Sequence, residues 1–324
     1  MSILLPFRKN KDRSTDSKTV FYAFGGGKGG IGKTFLSSNF GIHLAKKGKK
    51  TLIVDLDLGG ANVHTYLGIQ PTGPNLKDYL NSKVTSIEDV ISGTNNSNLY
   101  FIKGLDDWSS DLKITQEKTN QMVSHIRACE FDYVIFDLAA GTHNETIEFF
   151  LACDKQVIIT TPEPTSIENS YQFLKKAFHK TVMETSKELQ CVDEITKLLN
   201  HKERFNIKTP AQLITFLEEK EPELGKILRK KISNIMPKIL INQARSHQDQ
   251  ILSNSIEKIC SQYFSMKCEG IGFVNYDSAV WQSLRALKPF QLESTKSNTM
   301  NELSRVFEKL IEDKALRNLT GMAL

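Results

Sequence analysis

Cysteine is scarce in this chain, and no two cysteines stand in a C-x-x-C arrangement. The 324 residues include five cysteines, an odd number, and they are widely spaced. This pattern offers neither a disulfide framework nor paired ligands for zinc or an iron–sulfur cluster. We therefore expect a reduced, cytoplasmic location, and an iron–sulfur carrier is disfavoured. The cysteines are Cys129, Cys153, Cys191, Cys260 and Cys268.

Long apolar runs and dense basic blocks are also missing. No run reaches the roughly 18 apolar residues of a membrane-spanning helix, and no secretory cleavage site is recognisable. The net charge is +5, and no Lys/Arg block is interleaved with aromatic residues. DNA binding is therefore permitted by the composition but not indicated.

The composition is that of a globular protein with two tails. Hydrophobic residues make up 40% and charged residues 24%, which is ordinary for a packed domain. Residues 1–17 are expected to form a flexible tail, in which the apolar run 3–7 is followed by basic residues. Residues 313–324 are expected to form a second tail. Reversible contact with an anionic membrane through either tail is the alternative to a plain tail.

A glycine-rich stretch at residues 25–34 organises the rest of the chain. It reads G-G-G-K-G-G-I-G-K-T and contains the pattern G-x-x-x-x-G-K-[ST]. An apolar run at 19–24 predicts a buried strand before it, and 35–47 predicts a helix after it. Glycines let successive N–H groups turn toward a phosphate, and the helix adds its positive end. The stretch predicts a phosphate-binding loop in which Lys33 reaches the β- and γ-phosphates and Thr34 holds Mg²⁺.

Acidic residues follow two further apolar runs. Asp55 and Asp57 lie at the end of one predicted strand, and Asp137 lies at the end of another. Parallel strands present their carboxyl ends to the ligand crevice, so these carboxylates are expected beside the loop. Asp137 suits the orientation of water on Mg²⁺. Gly141 can bring its backbone N–H close to a terminal phosphate.

The loop carries an extra lysine, and with it a family resemblance. Lys28 cannot approach the same phosphate by the route that Lys33 takes. The segment from Lys28 to Thr34 resembles the deviant Walker A motif of the MinD/ParA family of P-loop ATPases. The resemblance implies a doubly wound α/β fold with a mostly parallel sheet, ATP and Mg²⁺ as cofactors, and a homodimer in the ATP state. In that family the signature lysine crosses the dimer interface to the partner's nucleotide.

The resemblance also implies the roles of individual residues. Asp55 matches the position near the waters of Mg²⁺, and Asp57 the position that activates the attacking water. The implied catalytic residues are Lys28, Lys33 and Asp57. The implied metal-site residues are Thr34, Asp55 and Asp137. The implied nucleotide-binding residues are Gly27, Lys28, Gly29, Gly30, Ile31, Gly32, Lys33, Thr34, Gly141, Asn242 and Asp277.

Three more stretches carry the resemblance. Residues 58–68 are similar to the segment that follows Asp57 in MinD-like and FlhG-like proteins, and T-T-P-E-P-T-S at 160–166 is similar to the same subgroup. Asn242 ends a predicted strand and matches the family's adenine-reading position. Residues 270–277 resemble its base-contacting loop, except that Asn275 stands where proline is usual.

One P-loop ATPase domain is expected over residues 18–312. It is interrupted at about 173–236 by charged, helical sequence, where the family makes a shorter connection. This insertion lengthens the dimer interface, docks a partner or is structural elaboration; the sequence leaves these alternatives open. Before it, Thr165 or Ser166 is expected to cap a helix.

The expected function is that of a dimerising ATPase switch. The resemblance implies slow, partner-stimulated ATP hydrolysis and a task as a spatial regulator, either FlhG-like in flagellar placement or MinD-like in positioning. Such a protein cycles between the cytoplasm and a membrane or cell pole. The alternatives are a ParA-like partition ATPase that binds DNA and a nearly inactive ATP-binding scaffold.

Overall fold

The computed structural model describes residues 19–57, 60–70, 72–104, 114–293 and 297–320, with side chains described throughout except at 292–293 and 313–320. The strands are β1 (Val20–Gly25), β2 (Thr51–Leu56), β3 (Ile91–Gly93), β4 (Leu99–Ile102), β5 (Tyr133–Leu138), β6 (Lys155–Thr160), β7 (Lys238–Ala244) and β8 (Glu269–Asn275). They form one eight-stranded sheet in the order β3-β4-β2-β5-β1-β6-β7-β8. Every neighbouring pair is parallel except β3 and β4.

The central strands are buried on both faces, as their continuous apolar sequences predict. Every residue of β2, β5 and β6 is buried. Successive side chains alternate between the faces: Phe21 joins one hydrophobic core and Tyr22 the other. Helices cover both faces, which is the usual setting of a parallel sheet. The predicted doubly wound α/β fold is confirmed.

The register of the sheet brings the predicted polar residues to one edge. Asp55 in β2 pairs with Asp137 in β5, and Asp137 also pairs with Phe24 in β1. The glycine-rich loop begins where β1 ends, so it lies at the same edge as both aspartates. We call this the carboxyl edge of the sheet.

The helices follow the strands closely in the alternation expected of this fold. Helix α1 begins at Lys33, two residues before its predicted start, because the loop enters it directly. The remaining elements include two 3₁₀ turns (Ile87–Val90 and Lys202–Phe205) and a π-helical turn (Cys260–Phe264). The described helices are α1 (Lys33–Lys46), α2 (Val63–Tyr66), α3 (Leu76–Leu80), α4 (Gln116–Arg127), α5 (Asn144–Ala152), α6 (Pro164–Glu188), α7 (Val192–Asn200), α8 (Pro210–Lys220), α9 (Pro222–Asn234), α10 (His247–Gln250), α11 (Leu252–Ile259), α12 (Ser278–Arg285), α13 (Phe290–Glu293) and α14 (Asn298–Thr320).

Helix α6 differs from its prediction at both ends. It begins at Pro164 after Glu163, and no side chain caps it. Ser166 lies inside the first turn, where its hydroxyl accepts a hydrogen bond from the Thr161 N–H at 3.0 Å. The prediction that Thr165 or Ser166 caps this helix is therefore wrong, because Pro164, whose fixed φ suits the first helical position, starts the helix before either residue. At the other end, residues 173–188 of the expected insertion continue α6 without a break.

Helices α7, α8 and α9 fill the rest of the expected insertion. Helix α8 begins at a reciprocal capping box formed by Thr209 and Gln212. Helices α8 and α9 approach closely at Gly225, where any Cβ would collide with the backbone of Glu218. Buried residues such as Leu228 join the same hydrophobic core as β1. From here on the name insertion is kept for α7, α8 and α9, which are packed on the domain rather than attached by a linker.

Helix α14 closes the domain beside β8 and α1. Phe307 is fully buried on it and packs on Phe40, with ring centroids 5.2 Å apart. The helix continues to Thr320, eight residues past the expected boundary at 312. The expected N-terminal tail lies outside the described residues. Within the described part of the chain, no helix combines the length and apolarity needed to cross a membrane.

Candidate nucleotide-binding site

The glycine-rich loop has the backbone that phosphate binding requires. Gly30 and Gly32 have φ angles of 76° and 90°, which favour glycine. Gly27 has no room for a side chain, because a Cβ there would collide with Asn169 of α6. Helix α1 then starts after Gly32 with no side-chain cap, so its first N–H groups are available to a phosphate.

Lys33 lies inside the loop. Lys33 is only 6% exposed, and its Nζ donates a hydrogen bond to the carbonyl of Lys28 at 3.3 Å. Burial lowers the pKa of its ammonium, while the charges of Asp137 and Asp57 raise it. The geometry therefore holds one ammonium between the loop and the acidic strand ends, facing the space in front of α1.

Lys28 lies in a different environment although it belongs to the same loop. Its side chain is 36% exposed and forms an ion pair with Glu163. Its Nζ also donates to the Thr165 hydroxyl at 3.2 Å. Two ammonium groups from one loop thus point to different places, Lys33 inward and Lys28 to the outer rim.

Asp55 and Asp137 form a buried pair of carboxylates at the carboxyl edge. They are 1% and 0% exposed. Asp55 accepts hydrogen bonds from the N–H groups of Asp57 and Val63, both at 3.1 Å. Asp137 accepts one from the Ser37 hydroxyl at 3.0 Å through Oδ1, whereas its Oδ2 is buried without a hydrogen-bond partner among the described residues.

The electrostatics of Asp55 and Asp137 favour a cation as the ligand of this pair. Burial raises the pKa of both carboxyls, and repulsion from Asp137 raises that of Asp55 further. Hydroxyls of Thr34 and Ser37 and the Lys33 ammonium act in the opposite direction on Asp137. Two buried carboxylates, one of them with an oxygen that has no partner among the described residues, and the Thr34 hydroxyl form a donor set that suits a hard divalent cation. The site fits Mg²⁺, with Thr34, Asp55 and Asp137 as the residues that would hold it.

Asp57 and Gly141 flank this centre. Asp57 follows β2 and is half-buried, and its charge acts on Lys33. Residues 58–59 after it lie outside the described residues. Gly141 has a φ of 94° in the turn after β5, which allows a close backbone approach at this edge. The structure therefore brings Asp57 into the electrostatic environment of Lys33 and places Gly141 after the same strand as Asp137.

Asn242 and Asp277 are placed differently from the rest. Asn242 is 5% exposed, and its amide donates to the Ile31 carbonyl of the loop at 2.7 Å. Asp277 begins α12, where its carboxylate accepts from the Ala279 N–H and the Thr299 hydroxyl at 2.8 and 2.7 Å. Asn242 thus supports the loop and Asp277 caps a helix. Their part in binding the base stays a prediction.

Sequence reasoning missed several residues that touch the site. Ser37 holds Asp137, Gln243 donates to the Gly30 carbonyl at 3.2 Å, and Glu163 pairs with Lys28. The position of Ser37 was predictable from its spacing, because it lies one helical turn after Lys33 and so near the same end of α1. The contact of Gln243 was not predictable, because it depends on a bulge in β7 and a left-handed φ of 58°.

The part of the chain that carries the loop and the aspartate pair is similar to known proteins. A family model described as an AAA domain matches residues 20–191. The septum site-determining protein MinD of Escherichia coli K12 is 28% identical over 151 residues, which are 46% of this chain and 55% of MinD. The chain belongs to the MinD/ParA family of P-loop ATPases. An uncharacterized ATP-binding protein of Methanocaldococcus jannaschii is 31% identical over 155 residues, 47% of this chain and 56% of the relative. The chain spans about half the length of the curated relatives it matches.

Solved structures of the MinD/ParA family show the same fold over a longer range. MinD of Pyrococcus horikoshii complexed with Mg-ADP has a TM-score of 0.62 at 19% identity, covering 90% of this chain and 96% of that one. A ParA family ATPase from Chlorobium tepidum has a TM-score of 0.59 at 19% identity, covering 89% and 97%. The likeness confirms the fold across both the P-loop half and the C-terminal half of the sheet.

Proposed function

We propose that this MinD/ParA family member is a Mg-ATP-dependent switch that forms a homodimer with ATP and separates after hydrolysis. Residues 27–34 would bind the phosphates, with Lys33 against the β- and γ-phosphates. Thr34, Asp55 and Asp137 would hold Mg²⁺, which supplies positive charge to the phosphate oxygens when bound. Asp57 would orient the attacking water, and Gly141 would report the terminal phosphate by a backbone contact.

The observation that carries this proposal is the separation of Lys28 from Lys33. The buried ammonium of Lys33 is already committed to the nucleotide side of its own loop. The ammonium of Lys28 lies at the rim, held by Glu163 and Thr165, where a second subunit can reach it. Phosphoryl transfer depends mainly on positioned charge, so a second lysine that arrives with a partner makes hydrolysis depend on dimerisation.

The experiment is molar mass by light scattering with ADP and with ATP plus Mg²⁺. It compares wild type with Lys28→Ala, Asp57→Ala and the control Lys226→Ala, whose exposed side chain lies on the insertion and pairs with Glu223. We expect ATP to double the mass of wild type and the control, Asp57→Ala to hold the dimer, and Lys28→Ala to stay monomeric. A mass that nucleotide leaves unchanged in all four proteins would refute the switch.

The proposed cellular task is spatial regulation. It is supported by the similarity to proteins named for septum-site determination and by the T-T-P-E-P-T-S string at 160–166. FlhG-like activity is testable as stimulation of the flagellar GTPase FlhF by this protein with ATP. Stimulation would assign the flagellar task, whereas none would remove it and favour MinD-like positioning. Retention on DNA that requires ATP and weakens steeply with salt would instead indicate a ParA-like task.

Contact with a membrane belongs to the same proposal. The apolar and basic residues 3–13 and the tail from 313 are its candidate contacts, and their side chains lie outside the described residues. Sedimentation with vesicles rich in anionic lipid, with ADP and with ATP, tests it. Binding that needs ATP supports a reversible membrane cycle, and no binding with either nucleotide contradicts it.

A further inference from the structure

A groove lies between α6 and the insertion, away from the carboxyl edge. Its floor is apolar and includes Phe178 and Val182 of α6 and Leu213 of α8, all buried. Ile207, just before α8, adds to the same floor. The cavity measures about 140 Å³, roughly the volume of one large aliphatic or aromatic side chain. An unfilled apolar cavity that opens to solvent can accept an apolar side chain from outside.

The rim of this groove is positively charged. Lys175 of α6, Lys202 of the 3₁₀ turn and Lys208 before α8 line it, together with His179. All four side chains are exposed, and no Asp or Glu is among the described residues that line the cavity. We call this feature, an apolar floor with three lysines on its rim, the basic groove.

The rim lysines differ from three basic residues of α9. Arg229, Lys226 and Lys231 of α9 each form an ion pair, with Glu218, Glu223 and Glu188. Within the described part of the chain, neither Lys175, Lys202 nor Lys208 forms an ion pair or donates a side-chain hydrogen bond. These three side chains of α9 are neutralised locally, whereas the rim of the basic groove carries three lysines without an acidic partner among the described residues.

We propose that the basic groove binds an acidic segment of a partner protein, with one bulky apolar side chain in the cavity and carboxylates on the rim lysines. The chemistry selects this occupant. The apolar floor gives no donors or acceptors for bases, which disfavours nucleic acid. The small cavity holds one side chain and not an acyl chain. The chain's own N-terminal residues 1–17 contain four Lys or Arg and two Asp, and this net positive charge would be repelled by the rim lysines.

The basic groove is separate from the nucleotide site. No residue that lines the groove belongs to the loop, the aspartate pair or the Lys28 contact. Binding should therefore persist without nucleotide and in Lys28→Ala. The proposal for the groove can therefore be refuted while the proposed ATP switch is supported, and the reverse.

The test selects short random peptides displayed on phage against the full-length protein without nucleotide. We expect enriched sequences to share Asp or Glu on both sides of one Leu, Ile, Phe or Trp. Synthetic versions are then titrated by fluorescence anisotropy against wild type and against Lys175→Glu/Lys202→Glu/Lys208→Glu, which changes only exposed residues. Affinity should fall at least tenfold. The control Lys197→Glu/Lys220→Glu/Lys230→Glu makes the same charge change at exposed positions of α7, α8 and α9 that do not line the groove.

Each outcome decides the proposal. Loss of binding in the rim variant with retention in the control supports it, as does loss when the apolar residue of the peptide is replaced by serine. Equal loss in both triple variants would show a general charge effect and overturn it. No enrichment, or enrichment of basic or uncharged peptides, would overturn it as well. Thermal unfolding of both variants verifies that each is folded.

Discussion

The carboxyl edge and the insertion differ in the kind of side chain that they bury. At the edge, charged groups such as Asp55, Asp137 and Lys33 are buried and held by backbone and hydroxyl contacts. In α7, α8 and α9, the buried positions are apolar and the charged side chains stay outside. Burying charge is costly unless it is compensated, so the edge invites a ligand that completes it. The insertion is already stable by packing, and its surface is free to determine which partner it contacts.

The largest effect is expected from Lys33→Ala, which removes the buried ammonium. Without it Asp137 and Asp57 lose their compensating charge, and no group replaces the contact with the phosphates. We expect ATP turnover to fall at least about 100-fold, the usual cost of removing one such charge stabiliser. Phosphate release measures it. Turnover within twofold of wild type would show that the edge is not a hydrolytic site; Lys226→Ala is the control.

The second effect tests the packing of the insertion. Leu228 is fully buried, so Leu228→Ala should lower the free energy of unfolding by about 2–5 kcal/mol. Leu189 is 42% exposed, and Leu189→Ala should change it by less than about 0.5 kcal/mol. Urea unfolding compares the two variants. Equal small losses would mean that α9 is not packed on the domain core.

The third effect concerns Ser37, which the sequence motif does not contain. Ser37→Ala removes the hydroxyl that donates to Asp137, a charge-assisted hydrogen bond worth about 1.5–3 kcal/mol. We expect the Mg²⁺ concentration needed for half-maximal turnover to rise about tenfold. Ser233→Ala removes a comparable hydroxyl that donates to a backbone carbonyl on exposed α9, and it should leave this concentration unchanged. An equal response in both variants would contradict a role for Ser37 at the metal site.

The smallest effect is expected from Glu163→Gln, which weakens the ion pair of Lys28. Both side chains are partly exposed, so the pair contributes no more than about 1 kcal/mol. Lys28 leaves Glu163 more readily in the variant, so the ATP concentration at half-maximal dimerisation should fall about two- to fivefold. Light scattering across an ATP titration measures it. A higher requirement for ATP would show that Glu163 helps the dimer rather than competing with it.

The two regions also differ in how far their structure follows from sequence. The loop, the strands and Asp55 and Asp137 were predictable, because glycine patterns and apolar runs are local and parallel strands align their ends. Contacts between distant residues were not: Asn242 reaches Ile31 across 211 positions, and Gln243 does so only through a bulge. The unbroken run of α6 past 173 was missed because charged helical sequence looks alike in a crossover helix and in an insertion.

Helix α6 joins the two regions as a single rigid rod. It has 25 residues, about 37 Å of helix, with proline only at its first position and no glycine. One end lies against Gly27 through Asn169 and next to Lys28 through Thr165, while its middle forms one wall of the basic groove. A partner that tilts this rod at the groove would therefore move the resting place of Lys28. Binding of a partner at the basic groove would then change how easily the loop contacts a second subunit.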